Sequence, residues 1–299
     1  NNWFSEKSLH DSGAVDEIIK LLKEKNLAFE KDSALWFKST ELGDDKDRVL
    51  IKSNGKKTYI ATDLAYHRDK LERGFDKIIN VQGADHYKEA ETVRDFVEKV
   101  LGKKNIIHSI ITQWVKVKKN GQEVKMSKRN GVYYALDDLI DEVGRDATRF
   151  IFTSYAPGSH INFDIDLAKE HSEKNPVYYV QYAHARICSI LTKAKSSTIK
   201  NPDSADLSLL NHPKEMILMR ELNKFPELVE EISENFEAHT LPHYAIGLAD
   251  KFHSFYDQCQ VLDEKAPELS RARLILANAV RIVLSETLRL IGVQAPEKM

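Results

Sequence analysis

Lys125-Met126-Ser127-Lys128-Arg129, followed by Asn130-Gly131, sets two lysines three residues apart around a small hydroxyl residue. On a hairpin loop such a cluster can close over a polyphosphate, and its electrostatic gain grows as negative charge develops on a leaving pyrophosphate. A lysine-rich turn on its own is more often a solvated loop. Here residues 103–129 hold eight basic residues against the single acid Glu123, in a chain of net charge −2. That excess ends on a Gly-bounded loop beside a sheet, which favours phosphate.

Tyr59 and Asp63 stand four apart where the pattern predicts a strand giving way to a helix. Asp63 can cap a helix starting at Leu64. At a pocket mouth it can instead take a guanidinium in a bidentate pair. The residues alone favour the cap. Gly83-Ala84-Asp85-His86 follows a short apolar strand, at the carboxyl end where α/β folds bind ligands. His86 can equally be a satisfied loop histidine, and no second His or Cys cluster lies close enough in sequence for a metal site.

A third group sits on a helix. Asn175 can serve as its N-cap and Pro176 as its first residue. Val177, Val180, His184, Ile187 and Leu191 form one stripe at helical spacing. Tyr182 and Arg186 fall on the opposite side, one turn apart. A tyrosine beside an arginine there can stack an unpaired RNA base, or the face can pack against the α/β domain; periodicity leaves both open.

The elements that must position these groups divide the chain. Residues 1–47 mix a helix carrying Val15, Ile18, Ile19 and Leu22 with loops and a short strand at Leu35-Trp36-Phe37. Strands are predicted at 49–51, 58–61, 77–81 and 106–111. Helices are predicted from about Leu64 to Arg73 and from Tyr87 to Leu101. This alternation suggests a parallel sheet covered on both faces. Residues 114–125 alternate valine and lysine around Asn120-Gly121, the pattern of a hairpin with one apolar face. After Pro157-Gly158 no strand pattern lasts, and helices are predicted at about 176–195, 212–235, 240–260 and 268–291.

Composition sets the limits. The 299 residues suit two domains, and 42% hydrophobic with 30% charged residues is ordinary for a globular protein. No apolar run approaches a membrane span. A balance of 44 basic to 46 acidic residues excludes a uniformly basic nucleic-acid binder. Cys188 and Cys259 cannot form a disulfide framework or a zinc cluster, and they suit a reducing cytosol. The first residue is Asn1, so the chain is expected to begin partway through a longer polypeptide.

Taken together, several segments resemble arginyl-tRNA synthetase, a class I aminoacyl-tRNA synthetase. They are Ala34-Leu35-Trp36-Phe37, residues 43–50 (Gly-Asp-Asp-Lys-Asp-Arg-Val-Leu), Val81-Gln82-Gly83-Ala84-Asp85-His86, the Lys125–Arg129 loop and residues 175–187 (Asn-Pro-Val-Tyr-Tyr-Val-Gln-Tyr-Ala-His-Ala-Arg-Ile). The end, Ala295 to Met299, resembles the family's carboxyl terminus. Coverage is essentially the whole chain. The lysine loop is shared across class I synthetases, and the run beginning at Asn175 is far more specific.

The resemblance implies an α/β plus all-α fold: an incomplete Rossmann-like nucleotide-binding domain followed by a helical-bundle anticodon-binding domain. The implied segments are 1–47, a connecting part of the catalytic region; 48–157, the second Rossmann half with the lysine loop; and 158–299, the anticodon-binding domain. It implies that Lys125 and Lys128 are catalytic, and that Met126, Ser127, Lys128 and Arg129 hold ATP together with Gly83 and Asp85. Tyr59, Asp63 and His86 would bind arginine, and Tyr182, Arg186, Tyr256 and Met299 would meet the anticodon loop. Mg²⁺ would accompany the ATP. The implied partners are arginine tRNA and L-arginine, not DNA or a membrane, with the protein a cytoplasmic monomer.

One departure matters. The class signature His-x-Gly-His is absent. The chain is therefore expected to be the carboxyl-terminal portion of such an enzyme and inactive by itself. The alternatives are another class I enzyme such as cysteinyl-tRNA synthetase, or a non-catalytic tRNA-binding protein.

Overall fold

A computed structural model of the chain describes residues 2–124, 134–199 and 204–299. The chain forms two compact units, Asn1–Trp114 and Val115–Met299.

The first unit begins with α1 (Glu6–Asp11) and α2 (Ala14–Glu24). Val15, Ile18, Ile19 and Leu22 of α2 are all buried, as the helical spacing predicts. Then β1 (Ala28–Lys31), β2 (Ala34–Phe37) and β3 (Arg48–Ile51) form an antiparallel meander. α3 (Tyr59–Glu72) leads to β4 (Ile78–Gly83), α4 (Tyr87–Lys99) and β5 (Ile107–Thr112). β4 and β5 pair in parallel across a helical crossover. Among the described residues, Ile78 and Ile107 of this sheet are buried, whereas Ile79 and Val81 on the other face are exposed, in place of the cover on both faces that the sequence suggests.

The strand expected at Thr58–Ala61 is instead the start of α3. Lys57 makes a single antiparallel bridge to Ile51. Thr58 is still extended, and its hydroxyl donates to the Val49 carbonyl at 2.6 Å. From Tyr59 onward Ile60, Ala61, Leu64 and Ala65 bury one helical face. That tertiary burial overrides the β-propensity of Thr58-Tyr59-Ile60. Asp63 consequently lies inside the helix, and the capping role the residues alone favoured is excluded.

The second unit opens with the hairpin β6 (Val115–Lys119) and β7 (Gln122–Glu123). Asn120 and Gly121 have φ of 52° and 71°, the left-handed pair a tight hairpin turn needs. Val117 is buried while Lys116 and Lys118 face solvent, so the predicted two-faced hairpin is present. Lys125, Met126, Ser127, Lys128 and Arg129 lie outside the described residues.

Beyond the hairpin run α5 (Leu136–Val143), α6 (Arg145–Thr153), β8 (Ile161–Asp164) and α7 (Ile165–Lys169). β8 pairs in parallel with β6, correcting the expectation of no strand after Gly158. Four residues with two inward positions are too few for a visible alternation. The bundle proper is α8 (Pro176–Lys195), α9 (Pro213–Asn223), α10 (Phe225–Asn235), α11 (Thr240–Gln258) and α12 (Pro267–Leu290). The single helix expected over 212–235 is split at Lys224, because Pro226 brings no N–H and fits only a helix's first turn. Ile187, Leu218, Leu248, Phe252, Phe255 and Leu284 belong to the shared core.

Candidate functional site

In the first unit, Tyr59 and Asp63 stand one turn apart on α3. Tyr59 is 79% exposed, while Asp63 is half-buried. Burial pushes the Asp63 carboxyl up to about 6, and the negative charges of Glu89 and Glu6 push the same way. Lys70 and His86 oppose them. The helix is tied down just beyond. His67 is buried, and its Nε2 accepts from Asn80 Nδ2 of β4 at 2.9 Å. Its Nδ1 therefore donates to the Asp63 carbonyl at 2.8 Å. Burial holds this imidazole down at about 4, so the ring is neutral at physiological pH. Lys70 completes the link, donating to Asn80 Oδ1 at 3.2 Å.

Gly83 ends β4, and Ala84–His86 form one 3₁₀ turn leading into α4. A Cβ on Gly83 would sit 2.6 Å from Asp85 Oδ1, so the glycine lets that carboxylate fold back toward the strand. His86 is exposed, with Nδ1 2.8 Å from Glu89 Oε2 and Nε2 3.8 Å from Asp85 Oδ2. These acids hold the imidazole above its usual range, the Glu89 hydrogen bond contributing most. A cavity of about 450 Å³ next to Asp63 on α3 is lined by Tyr59, Glu6 and Glu89 and also by Arg48, Lys52, Lys56 and Lys57; Asp63 and His86 are not among its lining residues. The charges of Glu89, Glu6 and His86 thus all bear on Asp63, and Tyr59, Glu6 and Glu89 share the wall of one cavity. A half-buried carboxyl that resists ionisation suits a cationic ligand, which favours its charged form. Glu6 and Glu89 were missed in the sequence. Glu89 has the position of an ordinary first-turn acid, and Glu6 is far away along the chain.

The turn before β3 is held by a buried ion pair. Arg48 donates Nε and Nη2 to the two Asp44 oxygens at 2.8 and 2.7 Å, and Thr92 donates to Asp44 Oδ2 at 2.5 Å. Only 4% of the Asp44 side chain is exposed; burial pushes its carboxyl up, but these donors together outweigh it and keep the group far below the usual carboxylate range. Asp44→Ala is expected to lower the unfolding free energy by about 2 kcal/mol, since it strips a mostly buried guanidinium of its bidentate partner and leaves it only the exposed Asp45, at 3.0 Å. Urea denaturation at pH 7 checks this; a loss under ~1 kcal/mol, the range of an exposed pair, would contradict it.

In the second unit, Asn175 Oδ1 accepts from Val177 N at 3.3 Å and caps α8 as the sequence predicts. Val177, Val180, His184 and Ile187 are buried on the expected stripe. Tyr182, Arg186, Tyr256 and Met299 all line one cavity of about 990 Å³. Arg186 lies over both rings, its Cζ 4.8 Å from the Tyr182 centroid and 5.2 Å from that of Tyr256. Its Nη2 donates to the Tyr182 hydroxyl at 3.0 Å. Tyr178 extends the row, nearly parallel to Tyr182 at 6.1 Å. The carboxyl-terminal segment is fastened beside this face. The Pro296 carbonyl accepts from His184 Nδ1 at 2.9 Å, and the Gln294 carbonyl accepts from Gln181 Nε2 at 2.9 Å. Such an aromatic and guanidinium platform can stack splayed bases. The sequence had left open whether this face is covered; within its own unit it borders a cavity.

Among the described residues no helix is long and apolar enough to cross a membrane, and no group of three His, Cys, Asp or Glu residues is arranged to hold a metal.

Residues 5–155 match the family of class I (R) tRNA synthetase catalytic domains, and residues 180–299 match the DALR anticodon binding domain. The arginine–tRNA ligase 1 of Halalkalibacterium halodurans is 45% identical over all of this chain, which covers 54% of that protein. The arginine–tRNA ligase of Bacillus subtilis is 46% identical over 99% of the chain and 53% of its own length. A Campylobacter jejuni crystal structure described as an arginyl-tRNA synthetase superposes with a TM-score of 0.89 at 33% identity, over 100% of this chain and 64% of the other. Thermus thermophilus arginyl-tRNA synthetase, at 23% identity and a TM-score of 0.76 over 96% and 58% of the two chains, shares the fold. The chain spans about half the length of the curated relatives it matches. A partial class I α/β catalytic region followed by a helical anticodon-binding domain, in one chain with these relatives, means that the protein belongs to the arginyl-tRNA synthetase family.

Proposed function

We propose that this chain serves the ATP-dependent attachment of arginine to its tRNA, with 1–47 a connecting segment of the catalytic region, 48–157 carrying the chemistry and 158–299 the anticodon contacts. In that reaction the carboxylate of arginine attacks the α-phosphate of ATP and pyrophosphate leaves. The terminal ribose hydroxyl of the tRNA then takes the arginyl group and AMP departs. Asp63 pairs the guanidinium of arginine, with Tyr59 and His86 beside it. Gly83 and Asp85 lie next to the adenosine. Lys125, Met126, Ser127, Lys128 and Arg129 hold the phosphates, the two lysines countering charge on the leaving pyrophosphate. Mg²⁺ enters with the ATP as part of the substrate. The protein acts in the cytoplasm as a monomer.

The observation that carries this reading is the convergence of Tyr182, Arg186, Tyr256 and Met299 on one cavity in a member of this family. The net charge of −2 provides no general attraction for RNA, so binding depends on these local groups. Tyr182→Ala is expected to weaken binding to an arginine anticodon stem-loop by about 5- to 150-fold, the range of ~1–3 kcal/mol for one stacked base. Because no charge is lost, the slope of log K against log salt should not change. Fluorescence anisotropy reads both quantities, and equal affinity for the two proteins would contradict the assignment. The chain by itself is expected to be catalytically inactive, since it has no His-x-Gly-His. Arginine-dependent exchange of pyrophosphate into ATP should stay at background; clear turnover would overturn that part.

A further inference from the structure

Arg186 is held by more than its two tyrosines. His253 of α11 places Nδ1 3.2 Å from Arg186 Nη1. A guanidinium only donates, so Nδ1 accepts and the neutral ring carries its proton on Nε2. The imidazole is itself packed between tyrosines of α8, 4.9 Å from the Tyr179 centroid and 6.1 Å from that of Tyr182. Its Nε2 atom is buried. Three groups therefore fix the guanidinium: the Tyr182 hydroxyl, the two phenol faces and the imidazole. Only the imidazole loses its acceptor when it gains a proton.

We infer that His253 is a positioning residue for Arg186: its neutral ring holds the guanidinium across Tyr182 and Tyr256 in the orientation that meets RNA, and its protonation releases that hold. This rests on the RNA-binding role proposed for the cavity. The charged groups around the ring are Arg186 on α8, Asp250 and Asp257 on α11, and Glu173 ahead of α8. Burial and Arg186 press its pKa below the usual histidine range, and the three carboxylates oppose them. The ring is therefore neutral at pH 7.5 and charges in acid. A charged imidazole would offer Arg186 an N–H in place of a lone pair and repel it.

The test uses this chain and a labelled arginine anticodon stem-loop, titrated by anisotropy from pH 7.5 to pH 5. The wild type is expected to lose affinity as the pH falls and the ring takes a proton, by about tenfold once it is charged, the scale of one hydrogen bond to a charged group. His253→Phe keeps a ring but no acceptor, so it should bind about tenfold more weakly at pH 7.5 and show a flat pH profile. His253→Asn restores an acceptor near Nδ1 without a titrating group, so it should recover most of the affinity and also remain flat. Arg186→Ala should flatten the profile as well, which separates the effect from titration of the RNA bases. Equal binding by wild type and His253→Phe at pH 7.5, or a full pH dependence in His253→Asn, would overturn the inference. Nitrogen NMR without RNA separates it from the RNA-binding role. An Nε2–H tautomer and an Arg186 guanidinium whose Nη rotation quickens in His253→Phe are expected. Unchanged Nη signals would overturn the positioning, whereas failure of the wild type to bind RNA at any pH would fall on the RNA-binding role alone.

Discussion

Asp63→Asn is expected to raise KM for arginine by about two orders of magnitude in a full-length arginyl-tRNA synthetase bearing these residues, while stabilising the fold at neutral pH. The two effects share one cause. Burial and the charges of Glu89 and Glu6 push the Asp63 carboxyl up to about 6, above its ordinary value of 3.8. The folded state then binds this proton more tightly than the unfolded state. Stability from that difference is complete below pH ~4 and is lost as pH rises through about 6. At pH 7.5 the ionised carboxylate costs on the order of 2 kcal/mol, and the neutral amide removes that cost. Asp63→Asn should therefore melt a few degrees higher at pH 7.5 and show no gain at pH 4. A bound guanidinium relieves the same strain and gains charge-assisted hydrogen bonds that an amide cannot match. Replacing the carboxylate forfeits both, and with them the discrimination against lysine, which lacks the planar fork. Steady-state exchange kinetics with varied arginine check the binding half. An unchanged KM would remove Asp63 from the arginine site.

Lys128→Ala in the same full-length enzyme is expected to lower kcat by about 10²–10³, with little change in KM for arginine. A lysine that gains interaction energy as pyrophosphate departs acts on the transition state more than on bound substrate. The flanks of residues 125–133 meet on one carboxylate. Lys119 of β6, before the segment, lies 2.8 Å from Glu142 Oε1, and Tyr134, after it, donates its hydroxyl to the same side chain. These hydrogen bonds, with Lys169 on the same oxygen, hold Glu142 down at about 2, so the carboxylate stays charged across the working pH range. Pre-steady-state measurement of adenylate formation separates this step from product release. A variant with wild-type kcat would reject the role of Lys128.

Where burial follows a regular period, the sequence was readable. The buried stripe of α2, the N-cap and core face of α8, and the Asn120-Gly121 hairpin are as the pattern predicts. Reading failed where tertiary contacts decide. Thr58-Tyr59-Ile60 has strand-forming residues, yet the burial of Ile60, Ala61 and Leu64 turns it into a helix and puts Asp63 in that helix's second turn. Pro226 marks the break between α9 and α10, but within an apolar-periodic run it is easily passed over. The site residues split the same way. Tyr182 and Arg186 are four apart on one helix and were visible as a pair. Their third partner, His253, lies 67 positions beyond Arg186, and only the packing of α11 against α8 brings it there. The carboxyl-terminal contact of His184 with Pro296 spans 112 positions and has no local signature.

The most direct test of an arginine-specific role is an anisotropy titration of this chain with two stem-loops, identical except that one carries an arginine anticodon and the other an unrelated one. Preference for the arginine loop by tenfold or more (about 1.4 kcal/mol) is expected, undiminished as salt rises, because stacking and base contacts rather than phosphate charge set the difference. Equal affinity for the two loops, with binding that disappears as salt increases, would contradict it.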